Sequence, residues 1–435
     1  MASVCNSTLL RRSLGLANVP RLVAFSNRNI SSQEIIEREK KVIANNYDSL
    51  PVVICKGSGV HMWDVEGKKY LDFFAGFATL NQGHCHPRIV NTVKEQIGVL
   101  HHTARAICHN NLYEASEKLT SLFKYDKVLL TNTGVEGGET AVKLARKWGY
   151  RVKKIPAGKA GIIFAAGNFW GRTLAAISAS TDPSAYSEFE PLMPGYHIVP
   201  YNDLEKLEQK LQDPNICAFM VEPIQGEGGV IVPDAGYLTE VRRLCTKYNV
   251  LWIDDEVQAG LGRTGKLLCV HHEEARPDIV ILGKALSGGV YPIAAVLADA
   301  PIMDCFTPGV HGSTYGGNPL ACKILQTALD VILEEKLCDK AEKLGQIFRT
   351  ELSNRLDKKR VTTVRGKGLL NAVVFNENSL DAKKVSYKLK DNGLVAKQMK
   401  PTIIRFSPAL TITEPELREG IDIIVDTINT MPVNA

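Results

Sequence analysis

A lysine at position 284 follows an apolar run that has the composition of a buried strand. The run occupies residues 279–282, and Gly288 and Gly289 come shortly after the lysine. A strand that is apolar along its whole length is buried on both faces, so its end would bring Lys284 to the floor of a cavity. Desolvation lowers the pKa of an amine and leaves it nucleophilic, as covalent bonding to an aldehyde requires. A lone lysine at a strand end more often extends back to water, so neighbouring motifs must show whether Lys284 has a chemical role.

Two other segments could complete a site around that lysine. The segment VLWIDDEVQ at 250–258 indicates a second buried strand that ends in carboxylates. The segment LTNTGVEGGETAVKLAR at 130–146 runs from a strand through a glycine turn into an amphipathic helix, whose first N–H groups could bind a phosphate. Pyridoxal phosphate (PLP) needs an amine for its aldehyde and a carboxylate that keeps its pyridine nitrogen protonated. Lys284 and Asp255 could supply both groups.

Alternating helices and apolar strands would position these residues. Between residues 88 and 323, we predict strands at 127–131, 161–166, 218–222, 250–254, 279–283 and 294–298. This alternation predicts an α/β fold with a mostly parallel sheet covered by helices on both faces and ligands at the strand ends. We predict a large cofactor-binding domain at 88–323, an N-terminal segment with a hairpin at 34–87, and a smaller α+β domain at 324–435.

Several motifs, in one consistent order, identify the chain as a member of a known family. The segments NTGVEGGE at 132–139, LWIDDEVQ at 251–258, LGKALSGG at 282–289 and HGSTYGGNPL at 311–320 resemble class III aminotransferases of PLP fold type I. Within that class, NQGHCHP at 81–87, AAGNFWGRT at 165–173, VEPIQGEGGV at 221–230 and RGKGLLNA at 365–372 resemble the ornithine δ-aminotransferases. The resemblance extends from about residue 35 to the C-terminus.

The resemblance implies a role for each residue around the PLP ring. Lys284 would bond the cofactor aldehyde and later move a proton on the substrate. Asp255 would pair with the pyridinium nitrogen, and Gln258 would donate a hydrogen bond to the phenolic oxygen. Phe169 would stack on the ring, and Trp170 would support that aromatic wall.

The resemblance also implies a phosphate site that two subunits share. Gly134 and Val135 would donate backbone N–H groups to the phosphate, whereas Thr314 would reach the phosphate of the neighbouring subunit. The expected assembly is therefore a homodimer or a dimer-based oligomer.

For the substrates, the resemblance implies two arginines. Arg172 would bind the distal carboxylate of 2-oxoglutarate or the carboxylate of ornithine, and Arg405 would bind the α-carboxylate of glutamate, since a guanidinium pairs with a carboxylate through two bonds. Glu227 would neutralise Arg405 while ornithine is bound, and Tyr47 would contact the ornithine α-carboxylate. The implied reaction transfers the δ-amino group of L-ornithine to 2-oxoglutarate by a ping-pong mechanism.

One substrate-binding position departs from the family pattern. Phe77 stands where ornithine aminotransferases commonly carry a tyrosine whose hydroxyl helps to hold the substrate amino group. The ornithine assignment is therefore weaker than the reaction class, and an acetylornithine or another ω-amino acid aminotransferase remains an alternative. A catalytically silent PLP-fold binding protein is a second alternative. A nucleotide-binding oxidoreductase would need a GxGxxG motif that opens a helix after the first strand, and the chain has none at that place.

The distribution of charge and the spacing of the cysteines restrict the cellular compartment and the kinds of partner that we expect. Residues 1–33 carry four arginines and no acid, and they contribute +4 of the net charge of +5. This composition is typical of a mitochondrial transit peptide and predicts a matrix protein. The nearly neutral remainder gives no reason to expect nucleic-acid binding, and no apolar run is long enough to span a membrane. The ten cysteines show no CxxC spacing, and we predict no metal despite the HisCysHis cluster at 84–86.

Overall fold

A seven-stranded sheet forms the centre of the structure, a computed structural model that describes residues 30–433. Its strands are β4 (Lys127–Thr131), β5 (Gly161–Ala165), β6 (Tyr196–Val199), β7 (Ile216–Val221), β8 (Leu251–Asp255), β9 (Ile279–Leu282) and β10 (Ala294–Ala298). Their spatial order is β4-β10-β9-β8-β7-β5-β6. Strand β10 runs in the opposite direction to the other six strands, which are parallel to one another. The six predicted strands are confirmed within two residues at each end, and β6 was not predicted.

Helices cover both faces of this sheet. The helices that precede or follow its strands are α2 (Ala75–Ala78), α3 (Pro87–Ile97), α4 (Asn110–Phe123), α5 (Gly134–Arg151), α6 (Leu174–Ile177), α7 (Pro183–Tyr186), α8 (Leu204–Leu211), α9 (Tyr237–Lys247), α10 (Ala300–Met303) and α11 (Pro319–Glu334). Successive residues of β9 pack into hydrophobic clusters on opposite faces of the sheet. Ile281 packs in the cluster that contains Leu144 of α5, and Leu282 packs in the cluster that contains Leu325 of α11. This two-sided burial explains why the strand is apolar throughout.

Two smaller sheets flank the central one. The first contains β1 (Ile54–Ser58), β2 (His61–Asp64), β3 (Lys69–Asp72) and β13 (Leu394–Val395). The second is antiparallel and contains β11 (Val361–Lys367), β12 (Leu370–Phe375), β14 (Lys397–Lys400) and β15 (Ile403–Phe406). The remaining helices are α1 (Ser32–Glu39), α12 (Leu337–Arg355), α13 (Ala382–Asp391) and α14 (Glu414–Thr430). The predicted N-terminal hairpin is confirmed, and β13 joins it to the C-terminal part of the chain.

The predicted division into domains stays a prediction. Helix α3 begins at Pro87 and helix α11 continues through residue 323, so the two internal boundaries fall at or within helices. Residues 1–29 of the predicted transit peptide lie outside the described part of the chain. Within residues 30–433, no helix has the length and apolar character required to cross a bilayer.

Candidate active site

Lys284 follows β9 and begins a single 3₁₀ turn at the bottom of a cavity of about 240 Å³. We call this space the lysine cavity; its lining residues are Gly134, Val135, Phe169, Trp170, Gly171, Glu222, Asp255, Val257, Gln258 and Lys284. The backbone of Lys284 has φ 41°, a left-handed conformation that non-glycine residues adopt at a cost and that is found more often at functional sites. The structure thus brings six residues predicted to bind the cofactor to one place: Gly134, Val135, Phe169, Asp255, Gln258 and Lys284.

The charges around the lysine cavity shift the protonation of its groups. Burial lowers the pKa of Lys284, and the positive charge of Arg405 acts in the same direction, whereas Glu227 and Asp255 oppose it. Burial also raises the pKa of Asp255 to about 6, although the Val257 N–H and the charge of Lys284 favour its ionised form. A cationic group bound beside Asp255 would restore its negative charge.

Asp255 is the only one of three successive carboxylates that lines the lysine cavity. Its Oδ1 accepts a bond from the backbone N–H of Val257 (3.0 Å), and its other oxygen has no protein donor among residues 30–433. Asp254 and Glu256 are also fully buried but do not line it, because successive side chains of a strand point to opposite faces. Asp255 can therefore accept a bond from a ligand in the cavity.

The N-terminus of α5 forms one wall of the lysine cavity. Thr133 caps the helix, and its side chain and that of Glu136 form a reciprocal capping box. The backbone N–H groups of Gly134 and Val135 have no acceptor among the residues that the structure describes. Because the N–H groups at a helix start attract anions, this wall suits a phosphate.

An aromatic wall stands beside that helix. Trp170 stacks on Phe164, with ring centroids 5.9 Å apart and planes inclined by 3°. A Cβ on Gly138 of α5 would lie 2.4 Å from the Trp170 ring, so a glycine is required there. Phe169, the preceding residue, lines the lysine cavity. This arrangement matches the predicted positions of Phe169 and Trp170, whose roles stay predictions.

Glu222 is a cavity residue that the sequence analysis missed. It lies just after β7, is 5% exposed, and accepts bonds from the backbone N–H groups of Phe169 (3.0 Å) and Gly226 (3.2 Å). Burial and the nearby charge of Asp255 raise its pKa to about 8. Glu222 therefore connects the loop that carries Phe169 to the turn that leads into Glu227. Its place at the end of a predicted strand was the available signal.

An ion pair between a buried arginine and a partly exposed glutamate lies on the side of the cavity that faces the C-terminal sheet. Nη1 of Arg405 donates to Oε1 of Glu227 (2.8 Å) and to Oε1 of Gln258 (2.6 Å), and Nε2 of Gln258 donates to Glu227 (3.2 Å). The guanidinium also lies 5.4 Å from the ring centroid of Phe77. The charge and the hydrogen bonds of Arg405 outweigh burial and lower the pKa of Glu227. The second nitrogen, Nη2, is buried without an acceptor in residues 30–433.

A second, larger cavity opens beside the first. This arginine cavity has a volume of about 800 Å³, and its lining includes Phe169, Arg172, Glu227 and Lys400. The guanidinium of Arg172 lies 5.4 Å from the ring centroid of Phe169, which lines both cavities. Tyr47 is 69% exposed and Thr314 is also exposed, and neither lines either cavity. Their predicted roles stay predictions.

The residues present fit PLP. One cavity is surrounded by helix N–H groups and a carboxylate oxygen that have no partner within residues 30–433, by an aromatic side chain and by a buried amine. These are the four chemical features that a phosphorylated pyridine aldehyde requires.

Comparison with known proteins gives the class of this protein. The chain belongs to the class-III aminotransferases, because the family model "Aminotransferase class-III" matches residues 42–428. It is therefore a PLP-dependent enzyme of fold type I, as its mixed sheet and flanking helices also indicate.

Individual relatives give a narrower grouping within that class. The chain is 58% identical over 400 residues to the mitochondrial ornithine aminotransferase of Drosophila ananassae, covering 92% of each protein. It is similar to the ornithine aminotransferase of Toxoplasma gondii, solved with partial occupancy of PLP at its active site, with a TM-score of 0.91 and 46% identity over 92% of this chain and 95% of that one. The acetylornithine aminotransferase of Elizabethkingia anophelis is 49% identical with a TM-score of 0.84, covering 91% and 98%.

Proposed function

We propose that this enzyme transfers the δ-amino group of L-ornithine to 2-oxoglutarate, giving glutamate 5-semialdehyde and L-glutamate. The observation that carries the proposal is the pair between Arg405 and Glu227, next to Lys284. An enzyme with one site for two amino donors must bind a carboxylate beside the reacting amine of glutamate but not beside the δ-amine of ornithine. An arginine with its own removable counter-ion meets both needs.

Each substrate would make different use of that pair. With ornithine bound, Glu227 keeps Arg405 neutralised, so the distal amine enters beside Lys284 without an unpaired guanidinium. With glutamate bound, the α-carboxylate takes the place of Glu227 on Arg405, and Arg172 in the arginine cavity binds the distal carboxylate. Tyr47 and Phe77 contribute contacts to ornithine.

The lysine cavity would hold the cofactor through residues of this chain. Gly134 and Val135 donate N–H groups to its phosphate, Phe169 stacks on its ring, and Gln258 donates to its phenolic oxygen. When bound, PLP supplies an electron sink for the carbon that loses its proton. Asp255 would keep the pyridine nitrogen protonated. Lys284 would hold the aldehyde through its amine until the amine of ornithine displaces it, and the freed Lys284 amine would then move the proton that leaves the δ-carbon.

The purified holoenzyme tests this proposal directly. With L-ornithine and 2-oxoglutarate, wild-type protein should form pyrroline-5-carboxylate, the cyclised semialdehyde, which o-aminobenzaldehyde detects; Lys284→Ala should not. The kcat/KM values for ornithine, 4-aminobutyrate and N-acetylornithine should rank ornithine first. A preference for either of the other two amines would refute the ornithine assignment.

N-acetylornithine is a serious second candidate for the amino donor because of Phe77. A phenylalanine offers no hydroxyl to the α-ammonium group of ornithine, whereas an acetylated α-nitrogen has no charge and only one N–H donor to satisfy. The 49% identity to an acetylornithine aminotransferase is in line with this alternative.

We further propose that the enzyme works as a homodimer in the mitochondrial matrix. A homodimer would cover apolar side chains that are exposed in the single chain. Among them are Val99 (79% exposed), Ile107 (64%) and Tyr113 (67%), and Tyr315, which directly follows Thr314, is exposed as well. The arginine-rich leader at 1–33 and the mitochondrial relatives support the compartment.

A mixed dimer tests whether Thr314 serves the neighbouring subunit. Co-expressed Lys284→Ala and Thr314→Ala chains should regain activity, because one site of each mixed dimer then has an intact lysine and an intact partner threonine. If Thr314 served its own subunit, every site would keep a defect and mixing would restore nothing.

A further inference from the structure

Arg263 is a fully buried arginine that lies outside both cavities and forms no ion pair with the residues described, 30–433. It is 0% exposed, and all its hydrogen bonds go to uncharged oxygens. Nε and Nη2 donate to Oδ1 of Asn81 (3.1 and 2.6 Å), and Nη1 donates to the carbonyl oxygens of Leu369 (3.0 Å) and Pro408 (2.6 Å). A buried cation without a counter-ion is costly, so its presence calls for an explanation.

The three partners of Arg263 belong to segments that are far apart in sequence. Asn81 follows α2, Leu369 precedes β12, and Pro408 follows β15. Further bonds tie the same segments together: the Asn81 amide donates to the carbonyl of Leu261 (2.9 Å), and the N–H of Leu410 donates to the carbonyl of Asn81 (2.8 Å). The guanidinium is thus the centre of a junction between three parts of the fold.

Phe77, Gln258 and Arg405 form what we call the carboxylate-recognition cluster, and each lies on a segment that meets at this junction. Phe77 lies just before Asn81, Arg405 just before Pro408, and Gln258 just before Arg263 itself. Strand β12, which begins after Leu369, pairs with β15, with Ala372 opposite Arg405. The cluster itself is held by contacts of Arg405 with Gln258 and Phe77. A shift of any one segment would change those distances.

The two guanidiniums also interact through their charges. Burial and the positive charge of Arg405 lower the pKa of Arg263 to about 9, and the negative charge of Asp72 opposes the shift. A carboxylate on Arg405 would therefore lie in the field of both cations.

We propose that Arg263 is a positioning residue for substrate carboxylates: it fixes Arg405 relative to Phe77 and Gln258, and so determines how tightly glutamate binds. This inference rests on the proposed function, in which Arg405 binds the α-carboxylate of glutamate and is neutralised when ornithine is bound. Loss of Arg263 should therefore weaken glutamate binding selectively.

Two variants weaken the junction in different ways. Arg263→Lys keeps the charge but loses the planar fork that reaches three oxygens, and Asn81→Ala removes one partner while keeping the guanidinium. Arg360→Lys and Asn111→Ala make the same two substitutions away from both cavities and serve as controls. Arg360, which is half-buried and pairs with Asp357 (3.4 Å), donates to the carbonyl of Ile428 (3.1 Å), and Asn111 donates to that of Pro319 (3.2 Å).

The two half-reactions of the holoenzyme should be measured separately by cofactor absorbance. For Arg263→Lys, the half-saturating glutamate concentration should rise about tenfold, the effect of one weakened charge-assisted hydrogen bond, and that for ornithine should change less than about twofold. Asn81→Ala should show a smaller change in the same direction. Both controls should match the wild type.

Thermal protection of the holoenzyme by glutarate gives a readout that does not need turnover, because glutarate has two carboxylates and no amine. It should stabilise the wild type and Arg360→Lys but protect Arg263→Lys much less.

The proposal would be overturned if the half-saturating concentrations of glutamate and ornithine rose equally, or if neither rose. If Arg263→Lys does not fold, Asn81→Ala decides by the same criteria. If the wild-type enzyme reacts with neither ornithine nor glutamate, the proposed function is wrong. Thermal protection by glutarate still tests the role of Arg263 in that case.

Discussion

The lysine cavity and the arginine cavity are built in different ways. The first is formed by ends of neighbouring strands and by one helix N-terminus, so its groups come from short segments with strong local patterns. The second depends on segments far apart in sequence, and the ion pair beside it joins the central sheet region to β15. In the proposed assignment, the cofactor is thus held by one layer of the fold, and the substrates by the contact between layers.

Because the two cavities are built differently, chemistry and selectivity can vary separately. A change in the lysine cavity should affect every amino donor alike, because each one reacts at the same cofactor. A change at the ion pair or at Phe77 should alter the ratio between donors. The predictions below test that separation, beginning with the largest effect.

Replacing Lys284 by alanine should lower kcat by at least about 10³-fold with both ornithine and glutamate, because the amine that we propose bonds the aldehyde and moves the proton is lost. Single-turnover absorbance with each substrate measures the effect. A Lys284→Ala protein that kept normal turnover with one of them would show that the two reactions do not share this residue.

Replacing Glu222 by glutamine should change how stability depends on pH. The folded chain holds the Glu222 proton up to a pKa of about 8, against an ordinary value of 4.5, so ionisation makes the wild type less stable as pH rises between these values. Glu222→Gln should lose about 3.5 kcal/mol less unfolding free energy from pH 5 to pH 8. At pH 5 it should be the less stable protein, since an amide cannot accept both N–H bonds equally well.

Urea unfolding of the cofactor-free protein at the two pH values measures this difference. The exposed Glu37→Gln is the control and should follow the wild type. An identical pH dependence in Glu222→Gln would mean that Glu222 is already ionised in the folded chain.

The lysine cavity was also the more predictable of the two. The apolar strands β8 and β9 and the capped helix α5 each follow from a few consecutive residues, so Asp255, Lys284 and Gly134 could be placed together before the structure was known. Hydrogen bonds between distant segments leave no local pattern. That is why the junction at Arg263 was not predicted, and why Arg405 and Glu227 were assigned only through a family resemblance.

Replacing Glu227 by glutamine should alter the ratio between the two donors. The variant leaves Arg405 without a counter-ion, so the carboxylate of glutamate no longer has to displace one, and its KM should fall about fivefold. Ornithine should bind about fivefold more weakly, because its uncharged stem would then face an unpaired buried cation. Steady-state kinetics with each donor measure both changes, and parallel changes for the two donors would contradict the proposed role of the pair.

The smallest effect is expected at Phe77, where the aromatic ring lies against Arg405. Phe77→Tyr adds a hydroxyl that can accept a hydrogen bond from the α-amino group of ornithine, and one such bond contributes about 1 kcal/mol. The kcat/KM for ornithine should therefore rise about fivefold, whereas the value for 4-aminobutyrate, which has no α-amino group, should stay the same. Because the ring remains, the packing on Arg405 and the glutamate half-reaction should not change. If both amines gained equally, the hydroxyl would be acting on Arg405 or on the cofactor, and position 77 would belong functionally with the lysine cavity.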